Sequence, residues 1–337
     1  MLLDTLELCT QTRVCLPQRK TTTTNSTEKR LTVTEIVLSY SEIDTYRQCP
    51  LKHQWAYVER WRRPVDPGGA LAKGSLFHLV METHYTVLQK HDRKTPASCE
   101  AALAESRDAV QVHLYDTKTG AQSETQALVE WMFQGYLDKY GADPDWDIEG
   151  VELAFQLPLL TPDGSESPYQ IKGKIDLLVR DRKNGHLWVV DHKSGANLPS
   201  TMDLEIDDQF GLYTWAMKQQ GQPVLGAIHN AVRTTRNTAD FPEYTGKLQP
   251  QTLEQRHLRT YLNRSEVELN AIAQDAWAVA ANAYPVEGQE RPLYSSPDPR
   301  NCGWKCDFKE IHLMARKGRN PEAALTESGF VQDFTRH

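Results

Sequence analysis

The hydrophobic positions of this chain follow a helical period first and a strand period afterwards. Apolar residues recur at helical spacing over four stretches, which predicts helices at 41–55, 76–88, 100–114 and 124–140. The first stretch contains Cys49-Pro50. We expect the proline to interrupt that helix, because it has no main-chain N–H to donate and its ring clashes with the preceding turn.

The second half of the chain begins with strand-like segments. Apolar patterning predicts strands at 151–159, 175–179, 187–190 and 224–232. The loop between the second and third strands contains Asn184-Gly185, the dipeptide that best tolerates the positive φ angles of a tight hairpin turn. These two strands are therefore predicted to be antiparallel neighbours.

Two further helices complete the predicted elements. Helical spacing returns at 204–219 and again over a long stretch at 251–283. Helices before a mixed sheet, and others after it, predict an α/β layered domain.

The predicted hairpin brings two acids and a lysine together. Successive side chains of a strand point to opposite faces, so Asp191 and Lys193 share one face and His192 points to the other. The neighbouring strand can bring Asp176 to the face of Asp191. Carboxylate oxygens on rigid strands, with an ammonium beside them, can hold Mg²⁺ or Mn²⁺ against a phosphate. The pattern predicts a metal-dependent phosphodiesterase.

These residues also carry a family resemblance. Gly173-Lys174-Ile175-Asp176, a hairpin and Asp191-His192-Lys193 resemble the core of the PD-(D/E)XK nucleases. Other segments, in matching order across residues 38–310, resemble the RecB/Cas4-like (AddB-type) exonuclease branch: Ser41 to Pro50, Gly74 to His78, and Gln209 to Tyr213. The resemblance implies a restriction-endonuclease-like mixed β-sheet core flanked by helices, with an N-terminal helical insertion.

The domain boundaries follow from composition and from the resemblance. The threonine-rich stretch at 21–27 has no apolar residues to bury, which predicts a disordered tail. We expect a tail at 1–34, a nuclease domain at 35–315 and a C-terminal tail at 316–337. Within the domain, the expected parts are a helical insertion at about 75–145, a catalytic core at about 148–235, and a C-terminal helix with a cysteine clamp at about 250–312.

The resemblance implies roles for the central residues. Asp176, Asp191 and the main-chain carbonyl of His192 would bind Mg²⁺ or Mn²⁺. Lys193 would orient or deprotonate the attacking water and stabilise charge on the phosphorane. His78 would be a further metal ligand, although a lone histidine on an apolar helix face is more often a core residue.

Several polar residues have a structural reading beside the functional one. Glu82 lies one helical turn after His78 and could assist it. Glu152 is another candidate acid, but its alternating strand favours a solvent-facing position. Gln209 and Tyr213, also one turn apart, would contact nucleic acid near the scissile phosphate by resemblance, or Tyr213 could simply pack. Pro162-Asp163 spells the "PD" of the family name but lies in a turn sequence.

Cysteines near both ends of the predicted domain leave a metal question open. In related nucleases, one cysteine after the first helix joins three near the C-terminus to hold a 4Fe-4S iron-sulfur cluster. Cys49, Cys302 and Cys306 lie in the corresponding regions, but the last pair has three intervening residues and His312 takes the place of the fourth cysteine. The set could hold an iron-sulfur cluster, zinc, or no metal at all.

Composition narrows the partners and the compartment. The net charge of −7 argues mildly against nonspecific nucleic-acid affinity but permits a local basic groove, for which Glu59 to Pro64 and Arg233 to Arg236 are candidates beside the commoner solvated-surface reading. No stretch is long and apolar enough for a membrane span and the start does not resemble a secretory signal, so we expect a cytoplasmic protein. There is no Walker A loop, so a helicase or recombinase partner would be a separate chain.

The sequence thus predicts a Mg²⁺- or Mn²⁺-dependent DNase, an exonuclease acting on single strands or duplex ends during DNA processing, recombination or repair. A noncatalytic nucleic-acid-binding or recombination-scaffold protein of the same fold is the alternative. A small-molecule metallohydrolase is a third class, which would need a closed pocket.

Overall fold

The computed structural model describes residues 35–116, 122–286, 289, 291, 293–304 and 306–335. The tail predicted at 1–34 lies outside these residues. The described strands are β1 Ile36–Ser39, β2 Trp61–Arg62, β3 Trp146–Pro158, β4 Tyr169–Asp181, β5 Leu187–Gly195, β6 Val224–Arg233, β7 His257–Leu262 and β8 Val331–Gln332. The described α-helices are α1 Tyr40–Gln48, α2 Pro50–His53, α3 Ala70–Gln89, α4 Pro96–Leu114, α5 Ser123–Tyr140, α6 Thr201–Glu205, α7 Asp208–Gln219, α8 Leu253–Arg256, α9 Glu266–Ala283, α10 Pro299–Trp304, α11 Lys309–Arg316 and α12 Pro321–Glu327.

The helices between β1 and β3 follow the predicted pattern. The first helix is interrupted at Cys49, with Pro50 opening α2, as expected from the missing N–H of proline. Helix α4 begins at a capping box in which the Thr95 and Ser98 side chains each accept from the other residue's main-chain N–H. Helix α5 ends before Gly141, whose φ of +57° is easily adopted by glycine.

The central sheet mixes parallel and antiparallel strands. Its order is β1-β4-β5-β6-β7, with β3 paired to β4 as well. The hairpin of β4 and β5 is antiparallel, running from the Leu177/Val190 pair to the Arg180/Leu187 pair, and Gly185 in its turn has a φ of +75°. Strand β1 is parallel to β4, β6 is parallel to β5, and β7 is antiparallel to β6. The predicted mixed α/β fold is confirmed.

Helices cover both faces of the sheet. Leu177 and Val179 of β4 pack with α3, α4 and α5 in one apolar layer, whereas Leu178 lies in the other layer with α7 and α9. Burial on both faces explains why the paired segments 177–179 of β4 and 187–190 of β5 are continuous runs of hydrophobic residues, without the alternation of a half-exposed strand.

The prediction of one long helix at 251–283 is wrong. This segment contains α8, then the strand β7, then α9. Strand β7 extends the sheet beside β6, so tertiary pairing overrides the local helical pattern. A capping box at Ser265 and Glu268 begins α9 and was a readable signal for the true helix start. The helix predicted at 204–219 is likewise two helices, with Asp207 capping the second.

The segment 316–337, predicted as a tail, contains ordered elements in its described part. Helix α12 packs on α11, and β8 pairs with β2. Seven buried side chains from these regions form a separate apolar cluster, here called the end cluster: Trp55, Trp61, Phe308, Ile311, Ala324, Leu325 and Phe330. It joins the first helices of the described chain to its last elements. No described helix combines the length and the apolarity that crossing a membrane requires.

Candidate active site

The candidate site lies where β4 and β5 diverge, a place here called the fork. The pairing of these strands stops at Leu177 and Val190, one residue before Asp176 on β4 and Asp191 on β5. On the same edge of β4, the pairing with β1 ends at Lys172. Asp176 therefore lies in the interval between two neighbouring strands, where its side chain can accept main-chain hydrogen bonds.

Asp176 is held by two donors at one oxygen. The main-chain N–H of His192 donates to Asp176 Oδ2 over 2.7 Å, and His78 Nδ1 lies 3.3 Å from the same atom. Burial alone would raise the pKa of Asp176, but the contacts with His78 and with the His192 N–H lower it below its ordinary value. These contacts converge on Oδ2, and Asp176 lines the cleft described below.

Asp191 and Lys193 form an ion pair on the shared face predicted for them. Lys193 Nζ lies 2.7 Å from Asp191 Oδ2, and the Asp191 side chain is only 4% exposed. Burial raises the pKa of Asp191 to about 6, despite the opposing effect of Lys193. The Lys193 side chain remains 37% exposed, so its ammonium lies at the boundary between the buried acid and solvent.

A cleft of about 530 Å³ opens beside these residues. His78, Asp176 and Lys193 line it, as do Glu82, Glu152 and Lys174. The solvent-facing position expected for Glu152 is wrong: its side chain is 16% exposed and ion-pairs with Lys174. Glu152 has a φ of +54°, close to a shift of register in β3, which explains why strand alternation misplaced it. Sequence reasoning gave Lys174 no role of its own.

Gln209 and Tyr213 lie beside the acids on α7. Gln209 Nε2 donates to Asp191 Oδ1 over a long 3.4 Å and to the Tyr213 hydroxyl over 3.2 Å. The Tyr213 ring is 9% exposed and packs edge-on against Phe155. The structure therefore brings both residues to the site, with Gln209 in contact with a carboxylate and Tyr213 largely packed.

The arrangement combines two acids, a lysine and a histidine at one cleft, and sequence comparison identifies the family that shares it. The family model of the PD-(D/E)XK nuclease superfamily matches residues 37–311. The chain belongs to the PD-(D/E)XK nuclease superfamily. Members are nucleases, so the chemistry of the superfamily is hydrolysis of phosphodiester bonds in nucleic acid.

Comparison with solved structures gives distant matches. The protein SSO0001 is 15% identical, with 72% of this chain and 96% of that chain covered and a TM-score of 0.29. A protein from Eubacterium rectale named as a candidate exonuclease is 13% identical, with 84% and 99% covered and a TM-score of 0.36. No protein with a curated description matches the sequence.

Nucleases of this superfamily generally use Mg²⁺ or Mn²⁺, and the residues at the fork fit such an ion. No three histidine, cysteine, aspartate or glutamate side chains of the described chain converge into a ready-made metal group. Mg²⁺ does not require one, because it usually keeps several waters and binds one or two carboxylates with substrate phosphates. The buried carboxyl of Asp191, incompletely compensated by Lys193, is the observation that favours a cation here.

The cysteine set surrounds a different cavity. Cys49, Cys302, Cys306 and His312 line a space of about 120 Å³ at the end cluster. Cys49 Sγ accepts a hydrogen bond from the Ser296 N–H over 3.5 Å. Burial raises the pKa of the Cys306 thiol, and the nearby Cys302 and Cys49 add to the effect. The fold brings the predicted ligands to one cavity, but the described side chains do not form a metal group there.

The two basic stretches named as groove candidates are engaged within the protein. Arg62 ion-pairs with Asp333, and Arg63 lies over the Phe330 ring at 4.7 Å, so the first stretch supports the end cluster. Arg236 donates to the Ala127 carbonyl and lies 4.7 Å from the Trp131 ring.

Proposed function

We propose that this protein is a divalent-metal-dependent deoxyribonuclease that removes nucleotides from single strands or duplex ends. The proposal is supported above all by the convergence of Asp176, Asp191 and Lys193 at the fork of β4 and β5. A noncatalytic protein that had kept only the fold would be free to lose members of this set. This chain has all three residues, Asp176, Asp191 and Lys193.

Each residue has a distinct task in the proposed reaction. Asp176 Oδ1, Asp191 and the His192 carbonyl would hold Mg²⁺ or Mn²⁺, with His78 as a further ligand. The N–H and C=O of one strand residue point to the same edge, so the His192 carbonyl shares the side on which its N–H meets Asp176. The bound metal would activate water and polarise the scissile phosphate. Lys193 would orient the water and stabilise the negative charge that develops on the phosphorane.

Gln209 and Tyr213 are proposed to contact the nucleic acid near the scissile phosphate. Their position on α7, directly beside Asp191, supports this role. In the absence of substrate Gln209 also restrains the Asp191 carboxylate. A separate helicase or recombinase as partner, and a role in DNA repair or recombination, remain predictions from the resemblance.

The cysteine cavity keeps its three alternatives. An iron-sulfur cluster or zinc would join Cys49, Cys302, Cys306 and His312, whereas a metal-free clamp would rely on the end cluster alone. The apolar packing of Trp55 on Phe308, with ring centroids 5.6 Å apart, favours a clamp able to hold without metal. Iron, sulfide and zinc analysis of anaerobically purified protein decides among them.

The decisive experiment compares the wild type with Lys193→Ala on end-labelled linear DNA and covalently closed circular DNA, in Mg²⁺ or Mn²⁺. Asp163→Asn is the matched control, because Asp163 lies in the exposed 161–165 turn and accepts hydrogen bonds only from that turn. We expect the wild type and the control to degrade linear DNA but not the closed circle. Lys193→Ala should degrade neither DNA.

The other outcomes assign other functions. Cleavage of the closed circle would indicate an endonuclease. Activity retained by purified Lys193→Ala would refute the site. No cleavage of either DNA by the wild type would favour the binding-scaffold alternative.

A further inference from the structure

A buried polar network surrounds the side chain of His192, which points to the face of β5 opposite to Asp191 and Lys193. His192 is 1% exposed, and its ring Nδ1 lies 2.6 Å from Asn230 Nδ2. The Tyr85 ring stacks on the imidazole with centroids 5.3 Å apart and an interplanar angle of 17°. The amide can only donate through Nδ2, so Nδ1 of His192 is the acceptor and the imidazole is fixed in one orientation.

The network continues from Asn230 into a buried ion pair. Asn230 Nδ2 also donates to the Tyr136 hydroxyl over 2.9 Å, and its Oδ1 accepts from Arg259 Nε over 3.3 Å. Arg259 forms a two-fold contact with Asp143, with N–O distances of 2.6 and 2.9 Å. Tyr85 donates to the same Asp143 carboxylate over 2.6 Å.

The network therefore ties the helical insertion to the sheet at one residue. Tyr85 and Tyr136 come from α3 and α5, and Asp143 follows α5, whereas Asn230 and Arg259 are paired residues of β6 and β7. Tyr85 and Asn230 contact the His192 side chain directly, and the other members of the network hold these two residues. A bidentate arginine–carboxylate pair is a rigid support, because each group has a fixed geometry.

The placement matters because β5 has lost its β4 neighbour at this point. From Asp191 onward, β5 is paired with β6 alone. The His192 N–H donates to the Asp176 side chain instead of to a main-chain carbonyl of β4. A small rotation of the His192 peptide would move both its N–H, which orients Asp176, and its carbonyl. Contacts of the His192 side chain with Asn230 and Tyr85 can prevent that rotation.

We propose that Asn230 is a positioning residue for the divalent metal: through its hydrogen bond to His192 it fixes the main chain that orients Asp176 and presents the carbonyl ligand. The inference rests on the proposed function, since it concerns the same metal site. It assigns a task to a residue that touches neither substrate nor metal. Removing an outer partner of a metal ligand typically weakens metal binding by 10- to 100-fold.

The test measures metal binding without substrate. Binding of Mn²⁺ to metal-free protein is followed by electron paramagnetic resonance of the free ion, and thermal melting is recorded in a chelator. We expect Asn230→Ala to weaken Mn²⁺ binding by about tenfold. Val129→Ala is the control for destabilisation, because Val129 is a fully buried residue of α5 in the apolar layer between the helices and the sheet. It should lower the melting temperature and leave Mn²⁺ affinity within twofold.

A second variant keeps the inference falsifiable if Asn230→Ala does not fold. His192→Phe retains an aromatic ring against Tyr85 and the main-chain carbonyl, but it has no Nδ1 to accept from Asn230. It should also weaken Mn²⁺ binding by about tenfold. Affinity within twofold of the wild type, in either folded variant, overturns the proposal.

The reference variant Asp191→Asn separates this result from a failure of the proposed function. If the wild type binds Mn²⁺ and Asp191→Asn does not, the measured ion is bound at the fork. If the wild type and Asp191→Asn bind alike, the metal site itself is wrong, and the proposed function fails before the role of Asn230 is reached.

Discussion

The candidate active-site cleft and the end cluster each bring distant parts of the chain together, but the first is charged and the second is apolar. In the cleft, charged side chains from β4, β5 and α3 meet through hydrogen bonds and ion pairs. In the end cluster, aromatic and aliphatic side chains from the first and last described elements pack on one another, and Phe308 stacks on Phe330 at 5.0 Å.

The two regions also differ in how well their polar groups are compensated. Beside the cleft, paired with Lys193, lies the buried carboxyl of Asp191, whose pKa rises to about 6 and which would gain from a cation. The cavity beside the end cluster is lined by thiols, and burial raises the pKa of Cys306 and favours its neutral form. The cleft region is therefore marked by an incompletely compensated acid, and the end cluster by apolar packing.

The largest expected effect is on cleavage, at the cleft. Asp176→Asn removes the charge of a proposed metal ligand but keeps the side-chain shape, and we expect activity to fall by about a thousandfold, the typical loss when a transition-state-stabilising group is removed. Initial rates on labelled linear DNA measure it, with Asp163→Asn as the control that keeps wild-type activity. Equal rates for Asp176→Asn and the wild type would remove Asp176 from the site.

The next effect is on stability, at the end cluster. Phe308→Ala should lower the free energy of unfolding by about 3–5 kcal/mol, because it deletes a buried aromatic ring and leaves a cavity. Urea denaturation measures the loss, and the cleavage rate per folded molecule should be unchanged. Phe334→Ala is the matched control, since Phe334 is 64% exposed and should change stability by less than about 0.5 kcal/mol. Equal losses for both variants would mean that the cluster does not hold the two ends.

A smaller effect on activity is expected at the helix beside the acids. Gln209→Ala removes a long hydrogen bond to Asp191, and we expect a loss of about tenfold in kcat/KM, near the lower end for a bond to a charged group. Gln219→Ala, at the exposed end of the same helix, should behave as wild type. Steady-state kinetics on single-stranded DNA compares them, and identical values would leave Gln209 without a functional contact.

The smallest effect is expected at the cysteine cavity. Cys306→Ser should reduce the free energy of unfolding by about 1 kcal/mol, the cost of placing a hydroxyl among apolar groups, because the packing of the end cluster remains. Chemical denaturation of both proteins, with iron and zinc analysis, checks this. Stoichiometric metal in the wild type that is absent from Cys306→Ser, together with a much larger loss of stability, would make the clamp a metal centre.

Local sequence was sufficient for much of the framework. The break at Pro50 and the hairpin turn at Gly185 depend on backbone geometry that each residue imposes on itself. The shared face of Asp191 and Lys193 follows from the two-residue period of a strand, wherever that strand lies. These features could be predicted because their causes lie within a few residues.

The tertiary structure decided what depends on distant neighbours. Strand β7 had a helical pattern and became a strand because β6 offers it a ladder of hydrogen bonds. Glu152 lies in the cleft because a local irregularity of β3 turns it inward. The contact of Asn230 with His192 joins side chains 38 positions apart, and no local pattern could have placed them together. The sequence by itself predicted which residues carry the chemistry, because strand period and spacing are local, whereas the packing of the helical insertion against the sheet decided which side chains contact them.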